Sequence, residues 1–443
     1  MTSISTISPQ RRTEVLDALR RGTVPAHGLG VLAVGLERFQ DAFDAELARA
    51  ASGGGVFKAI RGEYGAGKTF VSRWLAERAR DRGMAAAEVQ VSETDTPLHR
   101  YQTVYRRLVE QLSTSTVRSG GLRSIVDSWF FTLEDEVLAQ TTISASSTAS
   151  VTQATVALME RRLGTITRSA PAFAAVLRAY LQASNAGDRA TADGLLAWLS
   201  GQPHVAASTK RTAGVKGDVD HDAALSFLSG LLAVLRDAGF DGLVLVLDEV
   251  ETMQRMRSDT RDKGLEALRK FIDDLYQGRF PGLYLVITGT PTFFDGPQGV
   301  QRLTPLAQRL HTDFTADARF DNPRAPQIRL QGFDLDGLVA VGGRVRDLYA
   351  TGATSSDHVH SLCDDEYLAS LARAVTGELG AKVGIAPRVY IKKLVGDVLD
   401  RIDLYEDFDP RRDYTLTMVD AELTEVERNA RAAATPDDIE LEL

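Results

Sequence analysis

The chain has 443 residues, 44% hydrophobic and 25% charged, the balance of a globular protein with room for two or three domains. A net charge of −9 excludes a uniformly basic nucleic-acid binder and leaves open a local basic patch. One cysteine, Cys363, excludes an internal disulfide and fits a reducing cytosol. The polar first residues lack a signal-peptide core and no apolar run reaches membrane-span length, so a cytoplasmic protein with no membrane contact is expected.

Residues 11–21 predict a short helix with Val15, Leu16 and Leu19 on one side, stopped by Gly22. Residues 24–37, with Gly28, Gly30 and Gly35, are apolar and glycine-rich. They read either as one wall of an adenine pocket or as a loop running into a helix. A helix over 36–50 and a triple-glycine turn at 53–55 lead to an apolar strand over 56–60.

Next comes Gly62-Glu63-Tyr64-Gly65-Ala66-Gly67-Lys68-Thr69, followed by Phe70 and a helical pattern through Val71, Trp74, Leu75 and Ala79. This is a phosphate-binding loop between a strand and a helix. Glycines let backbone N–H groups face an anion, and the helix start adds positive potential. Lys68 suits the outer phosphates, and the Thr69 hydroxyl suits Mg²⁺. The ligands expected are therefore ATP and Mg²⁺, with residues 62–70, Gly35 and Arg388 as binding residues.

A second strand is read over 87–91 and an amphipathic helix over 97–112. Residues 120–200 read as largely helical, broken by a Ser/Thr-rich loop over 141–155. Residues 203–222 read as a polar linker whose Lys210, Arg211 and Lys216 are candidates for contact with duplex DNA. A leucine-striped helix ends at Ala238 before Gly239. Then Leu243-Val244-Leu245-Val246-Leu247 reads as a strand buried on both faces, ending in Asp248-Glu249. Asp248 would hold Mg²⁺ and Glu249 would act as base toward the attacking water. The separation of Lys68 from Asp248 places a long helical insertion between the second and third strands.

A helix over 263–277 precedes a strand over 283–287, which ends in Thr288-Gly289-Thr290. Thr288, with Thr290 second, is the polar side chain expected to sense the γ-phosphate or hold the water. Residues 327–330 give a fifth strand. Arg309, within Leu306-Ala307-Gln308-Arg309-Leu310, is the candidate to reach a neighbouring subunit's nucleotide, with Arg302 nearby. The remainder reads as helices, one starting at Pro387 with Arg388 placed to face phosphates. His358, His360, Cys363 and Asp364 are metal-ligand types without a second cluster to complete a site.

The expected fold is α/β, a P-loop NTPase of the AAA+ layout with a five-stranded parallel sheet, a long helical insertion and a C-terminal helical lid. The segments are 1–55 (N-terminal, adenine side), 56–97 and 223–331 (the two parts of the core), 98–222 (insertion), 332–430 (lid) and 431–443 (acidic tail). The chain also resembles the ATP-binding proteins of the BREX phage-exclusion system, of the BrxD type. The residues that carry this are Leu19-Arg20-Arg21-Gly22-Thr23-Val24-Pro25, Val34-Gly35-Leu36-Glu37, Ile60-Arg61 with the loop to Phe70, 98–105, Leu247-Asp248-Glu249-Val250-Glu251, Thr288-Gly289-Thr290-Pro291 and Ala386-Pro387-Arg388.

The resemblance implies a cytosolic ATPase acting in anti-phage defence beside a helicase, a methyltransferase and a phosphatase-like protein. It also implies kinship with initiator ATPases of replication, which bind DNA and assemble as oligomers. Where those often carry Gly-Arg-Glu, this chain has Gly35-Leu36-Glu37, which weakens an adenine role at Leu36. Two mechanisms stay open: a signalling switch governed by nucleotide exchange, and a DNA-loading motor driven by hydrolysis.

Overall fold

The computed structural model describes residues 7–140, 148–379 and 387–432. Its strands are β1 (Val56–Arg61), β2 (Ala85–Gln90), β3 (Leu243–Asp248), β4 (Leu283–Gly289) and β5 (Gln327–Arg329). They form one parallel sheet in the order β2-β3-β4-β1-β5. The second strand begins two residues earlier than its apolar run suggested, because Ala85 and Ala86 pair with Leu243 and Val244.

Side chains alternate across a strand, so the Leu-Val repeat of β3 feeds both faces. Leu243, Leu245 and Leu247 join a core with the helix Ser258–Tyr276 and the helices between β2 and β3. Val244 and Val246 pack on the other face with the helices Glu37–Ala51 and Lys68–Asp81. Because the strands are parallel, Arg61, Gln90, Asp248, Gly289 and Arg329 all finish on one edge. Ligands of open α/β sheets bind beyond that edge.

Among the described residues, seven helices, from Tyr101–Gln111 to His221–Asp237, fill the connection from β2 to β3. They share the core of the first sheet face rather than forming a core of their own. Phe227 is their hub, with the rings of Tyr105, Phe173 and Trp198 edge-on to it at 5.9, 5.4 and 5.6 Å. The stretch read as a polar linker is ordered around a short helix, Ala207–Thr212. Trp198 Nε1 donates to Gly217 O at 3.0 Å, and Val215 and Val219 are buried, so the stretch is tied to the helical block. Of the Ser/Thr-rich loop, 141–147 lie outside the described residues. Residues 148–155 open the helix Thr148–Ser169, where Val151 and Thr155 are buried.

After β5 the chain is helical, and these helices form a third core together with the first helix, Pro9–Arg20. Arg20 closes this contact with two 2.8 Å bonds to Asp400, which also accepts from the Tyr349 hydroxyl at 2.9 Å. The helix from Pro387 changes to π-type turns over Leu394–Leu399 before resuming at Asp400–Leu404. Residues 433–443 of the acidic tail and Ala386 lie outside the described residues.

One buried polar cluster fixes the approach to β5. Lys58 of β1 is fully buried, pairs with Glu46 at 2.7 Å and donates to Pro323 O at 3.0 Å and Ala325 O at 2.7 Å. The Tyr284 hydroxyl of β4 donates to the other Glu46 oxygen. Burial already pulls the Lys58 pKa down. Glu46→Ala removes the counter-charge from a buried ammonium, and a loss of roughly 3 kcal/mol is expected because the two carbonyls remain. Urea unfolding of the variant checks this.

Candidate functional site

β1 runs straight into the phosphate loop. Gly67, at the N-cap of Lys68–Asp81, has φ of +86°, a region that costs a side chain about 1 kcal/mol or more. Lys68 is 8% exposed, and its ammonium donates to Gly62 O at 2.9 Å and Glu63 O at 3.1 Å. Burial lowers its pKa, against the pull of Glu251, Asp248, Glu63 and Glu249. The Tyr64 ring lies over the ammonium, 5.1 Å from it.

The ends of β2, β3 and β4 meet this loop through one line of hydrogen bonds. The Thr69 hydroxyl donates to Asp248 Oδ2 at 3.1 Å. The Thr288 hydroxyl donates to Asp248 Oδ1 and accepts from the Glu249 N–H at 3.0 Å. That bond supports Glu249 in a left-handed conformation, φ +58° and ψ +46°, which non-glycine residues hold mainly where the surroundings impose it. The Glu249 carboxylate accepts from Gln90 Nε2 at 2.8 Å. Of the two threonines Thr288 is thus the one whose hydroxyl touches the acids, while Thr290 stands at the N-cap position of the helix Pro291–Asp295 without a capping side-chain bond.

A cavity of about 600 Å³ opens over this line, within the usual range for ligand sites. The loop residues Tyr64 to Phe70 form its floor, and Glu249 and Glu251 also line it. Val24, Pro25, Gly35, Leu36 and Phe39 form one wall, Phe333 comes from the loop after β5, and Val341, Arg388 and Ile391 come from the C-terminal helices. The wall is pinned to the phosphate-loop helix. Glu77 accepts from the N–H groups of Gly28 at 2.5 Å and Leu29 at 2.9 Å, and Arg73 donates to Val24 O at 3.1 Å.

A family model described as BREX system ATP-binding protein BrxC/D matches residues 7–418. The chain belongs to this family. None of the curated proteins matches it. The description covers BrxC and BrxD alike, and it makes this BrxC/D protein an ATP-binding member of a BREX system. The match takes in the phosphate loop, the acidic pair and Arg388, and it ends before the last helix, Glu425–Ala432. Among the described residues of this BrxC/D chain no helix is long and apolar enough to cross a membrane.

The arginines singled out in the sequence have protein partners. Arg388 lines the cavity, but its guanidinium grips both oxygens of Glu427, one at 2.8 Å, and donates to Glu422 O at 2.7 Å. Glu427 also accepts from the Thr424 N–H at 2.7 Å, so it both caps the last helix and holds Arg388. Arg309 lies on Thr304–Leu310, bound to Asp273 and to Pro305 O, and Arg302 binds Asp262 and Ser258. Lys210 pairs with Asp218 at 3.4 Å, Arg211 donates to Ala207 O, and Lys216 is exposed, all in the helical insertion. The Cys363 thiol is buried and its pKa is pushed up to about 12, and Asp364 binds Arg411.

Three residues at the site carry no motif: Gln90, Glu77 and Arg73. Each is a common residue type on an ordinary helix or strand, and its partner lies elsewhere in the chain. Gln90 was visible as the last polar residue of a strand ending beside the acidic pair. The others had no local signal.

Proposed function

We propose that the chain binds ATP with Mg²⁺ in the cavity over the phosphate loop and hydrolyses it, as a P-loop ATPase of AAA+ type. The observation that carries the reading is the hydrogen-bonded line Thr69–Asp248–Thr288–Glu249–Gln90 beside Lys68. The AAA+ layout is supported by a sheet with β1 between β4 and β5, and by the C-terminal helices that roof the cavity as a lid. The Thr69 hydroxyl and the Asp248 carboxylate offer the hard oxygen donors that Mg²⁺ takes. Bound Mg²⁺ supplies neutralisation of phosphate charge.

Lys68 leaves two loop carbonyls to reach the outer phosphates. Glu249 leaves Gln90 and accepts a proton from water as its oxygen bonds to the γ-phosphorus and the bond to ADP breaks. Thr288 keeps Asp248 and the Glu249 backbone in register. Calorimetry with ATP and Mg²⁺, followed by phosphate release, tests the reading, and a protein that binds no nucleotide refutes it.

The groups named for chemistry rest on protein partners: Glu249 on Gln90, Lys68 on loop carbonyls, Arg388 on Glu427. That favours, as a second reading, a switch in which a solitary chain turns over slowly and retains ADP. We assign Arg309 as the arginine that leaves Asp273 to meet a neighbour's nucleotide in a homo-oligomer. Specific activity is then expected to rise with protein concentration, and Arg309→Ala to lower turnover roughly a hundredfold or more while ATP affinity holds. Flat activity from a monomer that stays monomeric with ATP removes this mechanism.

The role in phage defence, beside the other BREX components, follows family membership. Contact with duplex DNA through Lys210, Arg211 and Lys216 would be weak and lost as salt rises, given the net charge of −9.

A further inference from the structure

One acid in the cavity has no part in that scheme. Glu251 lies in the short 3₁₀ helix Val250–Arg255 that follows the acidic pair, and it is 6% exposed. Both its carboxylate oxygens are out of solvent, and neither has a hydrogen-bond partner in another residue; its own backbone N–H is the one donor that acts on it. Buried carboxylates are nearly always bonded, because desolvating one without a partner is costly. The cation that acts on it, Lys68, directs its hydrogen bonds to Gly62 O and Glu63 O instead. Glu251 also lines the cavity, as do Lys68 and Thr69 at the start of the phosphate-loop helix.

The groups acting on Glu251 come from three directions. Lys68 of the phosphate-loop helix favours its ionised form, and Asp248 and Glu249 at the end of β3 oppose it. Tyr64, with Arg255 beside it, lies across the cavity floor, and Glu63 adds a further negative charge near Lys68. Burial dominates and raises the carboxyl to about 6.

We propose that Glu251 is a proton-binding group of the nucleotide site: ionised next to Lys68 in the free protein, it takes one proton from solvent when a triphosphate binds, and its O–H then donates to an outer phosphate oxygen. The inference rests on the ATP-binding reading. Binding brings phosphate charge against a carboxylate already cut off from water. It also turns the Lys68 ammonium toward the phosphates and away from the acid. Both changes favour the neutral acid. No bond other than the new O–H forms on Glu251.

The sign follows from linkage. The complex holds more protons than the free protein, so affinity is greatest below the free-protein value of about 6. It falls as pH rises above that value, by up to ~tenfold per pH unit, until Glu251 ionises in the complex as well.

The test is calorimetry of ATP binding with excess Mg²⁺, from about pH 6 to about pH 8.5, in paired buffers of different ionisation enthalpy. Wild type is expected to take up protons on binding ATP near neutral pH, and less on binding ADP, which lacks the γ-phosphate. Glu251→Gln places an amide donor where the O–H would be. It is expected to lose the uptake and to bind ATP more tightly than wild type at the alkaline end. ATP's own ionisation is common to both proteins and cancels in their difference.

Equal proton counts and equal pH slopes in wild type and Glu251→Gln overturn the proposal. If that variant does not fold, equal uptake for ATP and ADP by wild type overturns it as well. Wild type that binds ATP without differential proton uptake sinks the Glu251 proposal alone. Wild type that binds no ATP at any pH sinks the nucleotide reading and the proposal with it.

Discussion

Glu249→Gln is expected to bind ATP with unchanged affinity and to hydrolyse it about 10²- to 10⁴-fold more slowly, the span seen when a positioned base is removed. Glutamine keeps the shape of the side chain and loses its charge and basicity. The backbone N–H that bonds Thr288 at 3.0 Å is untouched, and the Gln90 amide still has an oxygen to donate to. The line through Asp248 and Thr69 therefore stays in place, so the variant isolates the chemistry from the binding. Single-turnover phosphate release reads the effect, with calorimetry as the control for affinity. An undiminished single-turnover rate would show that another group activates the water.

Lys68→Ala is expected to weaken ATP binding roughly a thousandfold, since one ammonium makes more than one charge-assisted bond to the outer phosphates. The side chain is 8% exposed in the free protein and bonds Gly62 O and Glu63 O. Its removal therefore also leaves two loop carbonyls without that donor. A thermal melt separates this local loss from unfolding. Removing Lys68 also takes away the group that most favours ionised Glu251, so the variant's residual binding is expected to carry a different pH dependence. Calorimetry checks both points, and an unchanged dissociation constant would exclude Lys68 from the phosphate contacts.

In the proposed ATPase, the protein partners of the groups named for chemistry would keep a solitary chain quiet. Arg388 is held by Glu427, a residue that caps the last helix and lies beyond the family match. Glu249 is held by Gln90 from another strand. In the proposed scheme each contact would break as the group reaches a nucleotide, coupling the site to the position of β2 and of the C-terminal segment.

The sequence by itself determined the parts whose chemistry is local. The phosphate loop needs glycines, a lysine and a hydroxyl within eight consecutive positions, and residues 62–69 supply them in order. The β3 strand needed an unbroken apolar run because helices cover both faces, and that run ends directly in Asp248 and Glu249. Lys68, Thr69, Asp248, Glu249 and Thr288 were legible for this reason: each lies at a strand end or a helix start, where a parallel sheet gathers its ligands.

The tertiary structure alone decided which distant residues answer them. Gln90 and Glu249 are 159 positions apart, and they meet because β2 and β3 are paired in a register that sets Gln90 against Asp248. Glu77 reaches Gly28 and Leu29, and Glu427 reaches Arg388, through helix packing that leaves no periodic trace in either segment. Glu251 is the sharpest case. Its place in Leu247-Asp248-Glu249-Val250-Glu251 helped carry the resemblance and said nothing of its surroundings. Its meaning comes from burial without a partner beside Lys68, and burial is a property of the folded chain, because it depends on every element packed around the residue.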